Sequence, residues 1–223
     1  RSIADMSSVR VTAKPDRKQA ILLAAERLFA LKGYHAVSIR QIADEAGVPL
    51  ALVGYYFGPK QDLFHAIFAH WNGTIEERLA ALAQARQAPI GSRIESIIEA
   101  FIGPVLRLRA SSEGESYALL VARELAHATA EADRVLRDYF DPLAHAFIDT
   151  LQTVAPEVSR AQVAWCYQFA LGSLLHHLSD NRVERLSQGT AQANDPAAAA
   201  WLTRYMAGGM RAMLHTPEPS PTP

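Results

Sequence analysis

The stretch that most constrains the fold is SIRQIADEAGVPLALVGYYFGPK, which runs from Ser38 to Lys60. Ser38 and, three residues later, Gln41 form the capping-box pattern that begins a helix, and Gly47 is placed to end it in a left-handed conformation. Pro49 fits the first position of a second short helix, because its φ angle is already set for one. The stretch therefore predicts two short helices joined by a tight turn, with a third helix starting directly behind the Gly-Pro pair.

Two short helices at this spacing are typical of a helix-turn-helix, in which the second helix lies in the major groove of DNA. The residues also resemble the DNA-binding domain of tetracycline-repressor (TetR) family regulators. The resemblance extends from about residue 17 to residue 68. It rests on the pattern I-A-x-x-A-G-V, an aromatic pair before Phe, and a Lys after a short break: Ile42-Ala43, Ala46-Gly47-Val48, Tyr55-Tyr56-Phe57 and Lys60. It implies a homodimeric transcriptional repressor that is released from a palindromic operator by a small apolar or amphipathic ligand.

The distribution of charge agrees with a DNA-binding N-terminal unit. The whole chain has a formal net charge of −1, but residues 1–60 carry nine Lys/Arg against five Asp/Glu, and the remainder carries 13 against 18. All the lysines lie in the first segment. A basic unit that coincides with the helix-turn-helix pattern, joined to a mildly acidic remainder, is what a DNA-binding head on a separate body would show.

Helical periodicity continues behind the head, so we predict an all-α fold. We expect a flexible arm at residues 1–15, with Met6 as a candidate native start, and a helix-turn-helix domain at residues 16–60. Residues 61–215 should form a helical effector-binding and dimerisation domain, and the Pro-rich tail at residues 216–223 should be disordered. Apolar residues from Leu63 to Leu82 recur at helical spacing and predict one long helix from about Pro59 to Gln84, with a bend possible at Gly73.

The predicted DNA-binding residues fall into two groups. By resemblance, the groove-facing positions of the second short helix are Pro49, Leu50, Ala51, Gly54 and Tyr55. Several family members carry polar side chains near the positions that Leu50 and Gly54 occupy here, so we expect base reading through apolar contacts with thymine methyl groups and through DNA shape. The candidates for phosphate or groove contacts around this helix are Tyr34, Ser38, Arg40, Gln41, Tyr56 and Lys60.

The body resembles the effector-binding domain of the same family, and ordinary core packing is the alternative reading of its aromatic residues. Aromatic residues with a few polar groups could line an apolar pocket, and an Arg within an otherwise apolar helix is the best polar candidate. The candidate ligand-binding residues are Trp71, Phe101, Tyr117, Arg123, His127, Phe147, Trp165 and Phe169. Small residues and bulky aromatics in the two C-terminal helices favour dimerisation through those helices, and packing within the chain is the alternative reading of the same pattern.

Two other function classes remain open at this stage. One is a helical protein-interaction module whose head no longer reads DNA, suggested by Leu50 and Gly54. The other is a helix-bundle metalloenzyme, suggested by Glu124 with His127 and by the adjacent pair His176-His177. The chain contains no nucleotide-binding glycine loop, H-E-x-x-H or Cys-x-x-Cys motif, so we predict no metal, no cofactor and no enzymatic activity.

The sequence also predicts where the protein acts. The single cysteine, Cys166, excludes an intrachain disulfide framework and fits a reducing compartment. No uninterrupted apolar stretch reaches the length of a membrane span, and the N-terminal residues lack the apolar region of a signal peptide. We therefore expect a cytoplasmic protein whose partners are double-stranded operator DNA, a small-molecule effector and a second copy of the chain, with no membrane contact.

Overall fold

The computed structural model describes residues 16–126 and 129–215. Over these residues the chain is helical without any strand, and the predicted all-α class is confirmed. The predicted arm at residues 1–15 and the predicted tail at residues 216–223 lie outside the described residues, as does His127. No helix in the two described ranges is both long and apolar enough to cross a membrane.

The first four helices form the head: α1 (Arg17–Lys32), α2 (Ile39–Ala46), α3 (Leu50–Phe57) and α4 (Lys60–His70). Ring contacts hold α1 and α4 together, since the Phe29 and Phe64 centroids lie 5.5 Å apart in an edge-on arrangement and Tyr34 packs against both rings. Ile42 of α2 and Val53 of α3 are fully buried in the same core. The head is therefore a small helical unit with the α2–α3 pair on its outside.

The local signals in the head act as the sequence predicts. The Ser38 hydroxyl accepts a hydrogen bond from the Gln41 backbone N–H at 3.2 Å, and the Gln41 side chain accepts one from the Ser38 backbone N–H at 2.8 Å. Gly47 has φ 65° and ψ 35°, a left-handed conformation that glycine adopts without steric cost. Pro49 caps α3 from outside the helix instead of occupying its first position, so α3 begins at Leu50.

The body contains the remaining helices. They are α5 (Asn72–Ala85), α6 (Arg93–Ala110), α7 (Glu115–Ala126), α8 (Ala130–Val135), α9 (Asp141–Gln152), α10 (Arg160–Ser179), α11 (Val183–Leu186) and α12 (Ala198–Leu214). A single 3-10 turn at Ile90–Ser92 precedes α6, and a π-helical segment at Leu136–Phe140 joins α8 to α9. The large apolar side chains of α6, α9 and α10 meet in the centre, where Phe101 packs edge-on against Phe147 and Tyr167.

The predicted long helix from Pro59 to Gln84 was wrong in one respect. The helix is interrupted at Trp71, whose φ of −93° and ψ of 10° lie outside helical values, so that α4 and α5 are separate segments. The bend was expected at Gly73, two residues later, because glycine is the weakest helix former nearby. The break falls instead where the Trp71 indole turns inward to a hydrogen bond and a stacked ring, a tertiary contact that helix propensity does not report.

Candidate nucleic-acid interface and body cavity

The outer face of α3 is exposed although it carries large apolar side chains. Tyr55 is 79% exposed and Leu50 is 46% exposed, whereas Val53 on the opposite face is fully buried. Pro49, Ala51 and Gly54 are exposed with them. We call the five residues Pro49, Leu50, Ala51, Gly54 and Tyr55 the α3 surface.

The packing of the chain gives no reason for a glycine at residue 54 of the α3 surface. Gly54 lies in the middle of a helix, where glycine costs about 0.5–1 kcal/mol relative to alanine. A Cβ atom added at Gly54 would meet no other atom within 4 Å, so nothing described in this chain requires the absence of a side chain there. A residue that weakens its helix without a packing reason is suited to close approach by another molecule.

Polar groups surround the α3 surface on the α2 side. Ser38, Arg40 and Gln41 are exposed around the start of α2, and Tyr56 is 37% exposed at the other edge. Arg40 at the second position of α2 is free to reach a phosphate, and helix starts favour anions because their N–H groups point outward. These predicted contact residues are therefore accessible on α2 and α3, which pack against each other.

Lys60 and Tyr34 are bound to each other instead of extending into solvent. The Lys60 ammonium donates a hydrogen bond to the Tyr34 backbone carbonyl and lies 4.2 Å from the centroid of the Tyr34 ring. Burial lowers the pKa of Lys60 and raises the pKa of the Tyr34 hydroxyl. Lys60 therefore ties the α1–α2 connection to the start of α4, and its remaining N–H donors are the ones left for a phosphate.

A cavity of about 50 Å³ lies in the body between α5, α6, α7 and α10. Its wall is mostly aliphatic, with Tyr117 of α7, Tyr167 of α10 and Phe140 of the π-helical segment as its aromatic members. Among the described residues that line it, Arg78 of α5 is the one charged side chain. The cavity is smaller than most ligand pockets, so any molecule beyond a few atoms must move the walls apart to enter.

Six of the eight predicted ligand-binding residues separate into three groups. Tyr117 lines the cavity, while Phe101 and Phe147 are buried beside it in the core and Trp71 stacks on Tyr117 with ring centroids 5.2 Å apart. Trp165 and Phe169 do not reach the cavity, because they lie on the outer face of α10, 59% and 57% exposed.

Arg123, the polar candidate of the sequence, lies at the head instead of the cavity. Its guanidinium donates to the Lys32 carbonyl at the end of α1, at 3.4 Å. Nη2 of Arg123 would lie 2.7 Å from a Cβ added at Gly33, which has φ 83°. Gly33 therefore both ends α1 and makes room for a side chain that comes from α7.

A buried chain of contacts joins the cavity wall to the head. The Trp71 indole N–H donates to the Glu26 carboxylate of α1 at 2.6 Å, and the same indole stacks on Tyr117. Glu26 is 1% exposed, and desolvation raises its pKa although the Trp71 hydrogen bond and Arg27 act in the opposite direction. Sequence periodicity missed Glu26, which occupies an inward position of α1 between buried Ala25 and Leu28.

Further polar contacts join head and body at the surface. His65 of α4 lies 2.9 Å from the Asp138 carboxylate in the π-helical segment, and His35 lies 3.4 Å from Glu131 of α8. The π-helical segment also supplies Phe140 to the cavity wall, so one short element contacts both the cavity and α4. Such π-helical insertions are frequent at functional sites.

The two C-terminal helices expose four large aromatic side chains. Trp165 and Phe169 of α10 stack on each other, and Trp201 and Tyr205 of α12 are 68% and 72% exposed. The inward face of α12 is instead formed by Met206, Ala207, Met210 and Leu214. We call Trp165, Phe169, Trp201 and Tyr205 the aromatic face. Large exposed apolar patches are characteristic of interaction surfaces.

The residues that suggested the alternative chemistries are described only in part, since His127 lies outside the described residues. No group of three or more His, Cys, Asp or Glu side chains within the described residues could hold a metal ion. Burial raises the pKa of the Cys166 thiol to about 11, which keeps it protonated and unreactive at neutral pH. His176 is exposed, and burial with Arg109 nearby lowers the pKa of His177.

Two family models match the chain, in the order head then body. Residues 21–67 match the family described as bacterial regulatory proteins, tetR family. Residues 99–209 match the family described as tetracyclin repressor-like, C-terminal domain. The first match contains both helices of the helix-turn-helix, and the second contains most of the cavity wall and the aromatic face.

Among curated relatives, the HTH-type transcriptional regulator BetI of Brucella suis is 35% identical over 89 residues, which are 40% of this chain and 44% of that protein. The HTH-type transcriptional regulator HbdR of an Aromatoleum species is 32% identical over 75 residues, 34% of this chain and 33% of that protein. The chain thus matches less than half the length of these relatives.

Solved structures match over nearly the whole chain. The fatty acid degradation regulator FadR from Bacillus halodurans superposes with a TM-score of 0.59 at 18% identity, covering 89% of this chain and 98% of that one. FadR from Bacillus subtilis in complex with stearoyl-CoA gives 0.54 at 16% identity, covering 86% and 98%. At these identities the superpositions establish a shared fold.

Proposed function

Because the chain belongs to the TetR family of bacterial regulatory proteins, we propose that it is a DNA-binding transcriptional regulator that represses its target until a small-molecule effector binds the body. The observation that carries the proposal is the α3 surface, which exposes Leu50 and Tyr55 and holds a mid-helix glycine that the fold does not use. The major groove of DNA would cover that surface, and the absence of a side chain at Gly54 would let the helix approach the base edges closely.

The proposed mode of recognition follows from the side chains present. Leu50 and Ala51 offer apolar contacts to thymine methyl groups, and Gly54 lets the helix backbone approach the base edges. In this proposal the phosphate contacts come from Ser38, Arg40, Gln41 and Tyr56, together with Tyr34 and Lys60. The protein would act where DNA is, in the cytoplasm, as a regulator and not as an enzyme.

The proposed regulator acts as a homodimer joined through the aromatic face. One head makes few contacts, and two heads related by a two-fold axis read successive half-sites about 34–36 Å apart. Four exposed aromatic side chains on α10 and α12 support this pairing, since large aromatics dominate the energy of protein interfaces.

Release of the protein from DNA on effector binding would follow from a shift between two arrangements of head and body. An effector that widens the cavity displaces Tyr117, and through Trp71 and Glu26 this displacement reaches α1. The contacts of Arg123 with Lys32 and of His65 with Asp138 are the other connections that would change. The effector then lowers operator affinity by the same factor by which the operator lowers effector affinity.

The decisive experiment measures binding of the purified protein to DNA fragments that flank its own gene, at two salt concentrations. We expect saturable binding to one fragment, weakening steeply with salt because phosphate contacts release counterions. A Leu50→Glu variant should lose that binding while keeping its helical content. Equal binding to all fragments by wild type and variant alike would contradict the proposal, because the α3 surface would then carry no recognition.

A further inference from the structure

Arg78 is a charged residue on a buried helix face. It lies three residues after Ile75 and four before Leu82, both buried, and it is only 7% exposed itself. Its guanidinium carbon lies 5.1 Å from the centroid of the Phe101 ring and 5.7 Å from that of Phe147. Arg78 therefore belongs to the core of the body and not to its solvated surface.

The guanidinium has no acidic partner in the described part of the chain. No carboxylate there pairs with it, and its Nε atom is buried without a hydrogen-bond acceptor. The phenol groups of Tyr117 and Tyr167 are the neighbours that favour its charge, and the desolvation that comes with burial lowers its pKa. An arginine stays protonated in proteins even so, which leaves a positive charge facing an aliphatic cavity.

A buried charge without a partner is unfavourable, and the chain offers only partial compensation. The faces of Phe101 and Phe147 attract the cation, but they leave its buried Nε–H donor without an acceptor. A ligand that brings an anion into the cavity would satisfy that donor in a low-dielectric site, where a charge-assisted hydrogen bond is strong. The rest of the wall, including Val121, Leu174 and Leu178, suits a hydrocarbon.

We propose that the effector of this protein is an apolar carboxylic acid, bound with its carboxylate on Arg78 and its hydrocarbon part against the aliphatic wall. That this cavity is the effector site rests on the proposed function. A free acid should bind more tightly than its neutral ester, because only the acid supplies a negative charge that can pair with Arg78.

The size of the cavity adds a second feature. A cavity of about 50 Å³ does not hold a hydrocarbon chain of eight carbons, so binding must move apart the helices that line it. Tyr117, on the α7 side of the wall, carries the stacked Trp71 ring with it. Longer acids within the tolerated range should therefore both bind more tightly and release DNA more completely.

The test measures the midpoint of thermal unfolding against ligand concentration for the full chain, since a ligand that binds only the folded state raises it. The probes are sodium octanoate and methyl octanoate, with hexanoate and decanoate and their methyl esters alongside. We expect octanoate to bind wild type at least tenfold more tightly than its ester. The Arg78→Met variant should bind the two alike, and Arg78→Lys should retain part of the preference.

The matched control is Arg107→Met, which removes the same charge from an exposed residue that pairs with Glu77. It should keep the wild-type preference for the acid. Equal affinity of wild type for acid and ester, or a preference that survives in Arg78→Met, would overturn the proposal, and so would the failure of all three acids to bind. Because these measurements use no DNA, they are independent of the flanking-fragment experiment, in which a failure would count against the proposed function instead.

Discussion

The head and the body each contain residues in the wrong environment for stability, but of opposite kinds. In the head, large apolar side chains are exposed to solvent: Tyr55 is 79% and Leu50 is 46% exposed on the α3 surface. In the body, a cation is buried, with Arg78 7% exposed and without a carboxylate partner in the described residues. Each arrangement raises the free energy of the isolated chain, and each would be relieved by a different molecule.

The difference indicates the size and chemistry of the two partners. An exposed apolar helix face requires a large partner with a groove, because a small molecule could not cover it. A buried guanidinium suits a small partner with a negative charge, because a macromolecule could not reach it. The two proposed sites thus differ in exposure, since the first lies on the surface and the second in the core.

The largest expected effect is on DNA binding by the head. Leu50→Glu places a negative charge on the α3 surface, where it would face phosphates and base edges. We expect operator affinity to fall about 100-fold or more, since the loss of a single base interaction costs on the order of 1–3 kcal/mol and the new charge adds repulsion. Leu31→Glu, a residue of the same head that is 74% exposed, is the matched control and should retain most of the affinity. If both variants lost operator affinity to a similar extent, the α3 surface would not be the specific DNA-binding surface of the head.

The next effect concerns the aromatic face. Tyr205→Glu should raise the dimer dissociation constant at least 30-fold, because truncating or charging an interface aromatic commonly costs 2 kcal/mol or more, a ~30-fold change. Light scattering across a dilution series measures it. Tyr55→Glu, equally exposed but in the head, should leave the dimer intact. A Tyr205→Glu protein that stays fully dimeric at the lowest concentration would exclude this face as the interface.

The third prediction tests the buried charge directly. Arg78→Met should raise the free energy of unfolding of the ligand-free protein by on the order of 1–3 kcal/mol, because a hydrophobic side chain of similar length replaces an unpaired cation. Urea unfolding followed by circular dichroism measures the change. Arg107→Met should change it little, since exposed ion pairs contribute near zero. A destabilised Arg78→Met protein would mean that Arg78 supports the fold by itself.

The fourth prediction separates stability from binding in the head. Gly54→Ala should stabilise the protein by about 0.5–1 kcal/mol, as expected for glycine replaced in a helix interior. It should also weaken operator binding, because the new methyl group projects from the α3 surface. Gly73→Ala in α5, equally free of neighbours, should stabilise without changing DNA binding. If Gly54→Ala left DNA binding unchanged, close approach at this residue would be refuted.

The smallest effect is the pH dependence of Glu26. Desolvation raises its folded pKa above the ordinary value of 4.5, so the folded state takes up a proton at a higher pH than the unfolded state does. Glu26 therefore destabilises the protein at neutral pH, and this cost fades as the pH falls through the raised pKa toward 4.5. Relative to Glu26→Gln, wild type should gain stability as the pH is lowered from neutral toward 4.5. A difference that is constant over this range would contradict the assignment.

The head could be read from the sequence because its determinants are local. Ser38 with Gln41, Gly47 and the Gly58-Pro59 pair each act within a few residues, and each is found where the sequence predicts it. The contacts of Lys60 were harder to predict from the sequence, because the Tyr34 carbonyl that it binds is 26 residues away in the chain. Which residues of the α3 surface contact DNA stays a prediction, since it depends on a molecule outside the chain.

The body was harder to read because its determinants are tertiary. Arg123 and Arg78 both interrupt apolar helices, and only packing decides that the first meets the end of α1 and the second meets the cavity. A signal for Arg78 was present, since it occupies the stripe of Ile75 and Leu82, whereas Leu79 is 38% exposed. Apolar periodicity alone assigned Leu79 to the buried face of the helix and did not identify Arg78 as a buried residue.

The interruption of the helix at Trp71 has an optical consequence. The chain has three tryptophans, and two of them, Trp165 and Trp201, lie on the aromatic face. Replacing those two by phenylalanine leaves a single tryptophan, held between the ring of Tyr117 and the carboxylate of Glu26. Its emission would report the junction of head and body without any attached dye, so the protein carries its own probe for the step that links effector to DNA.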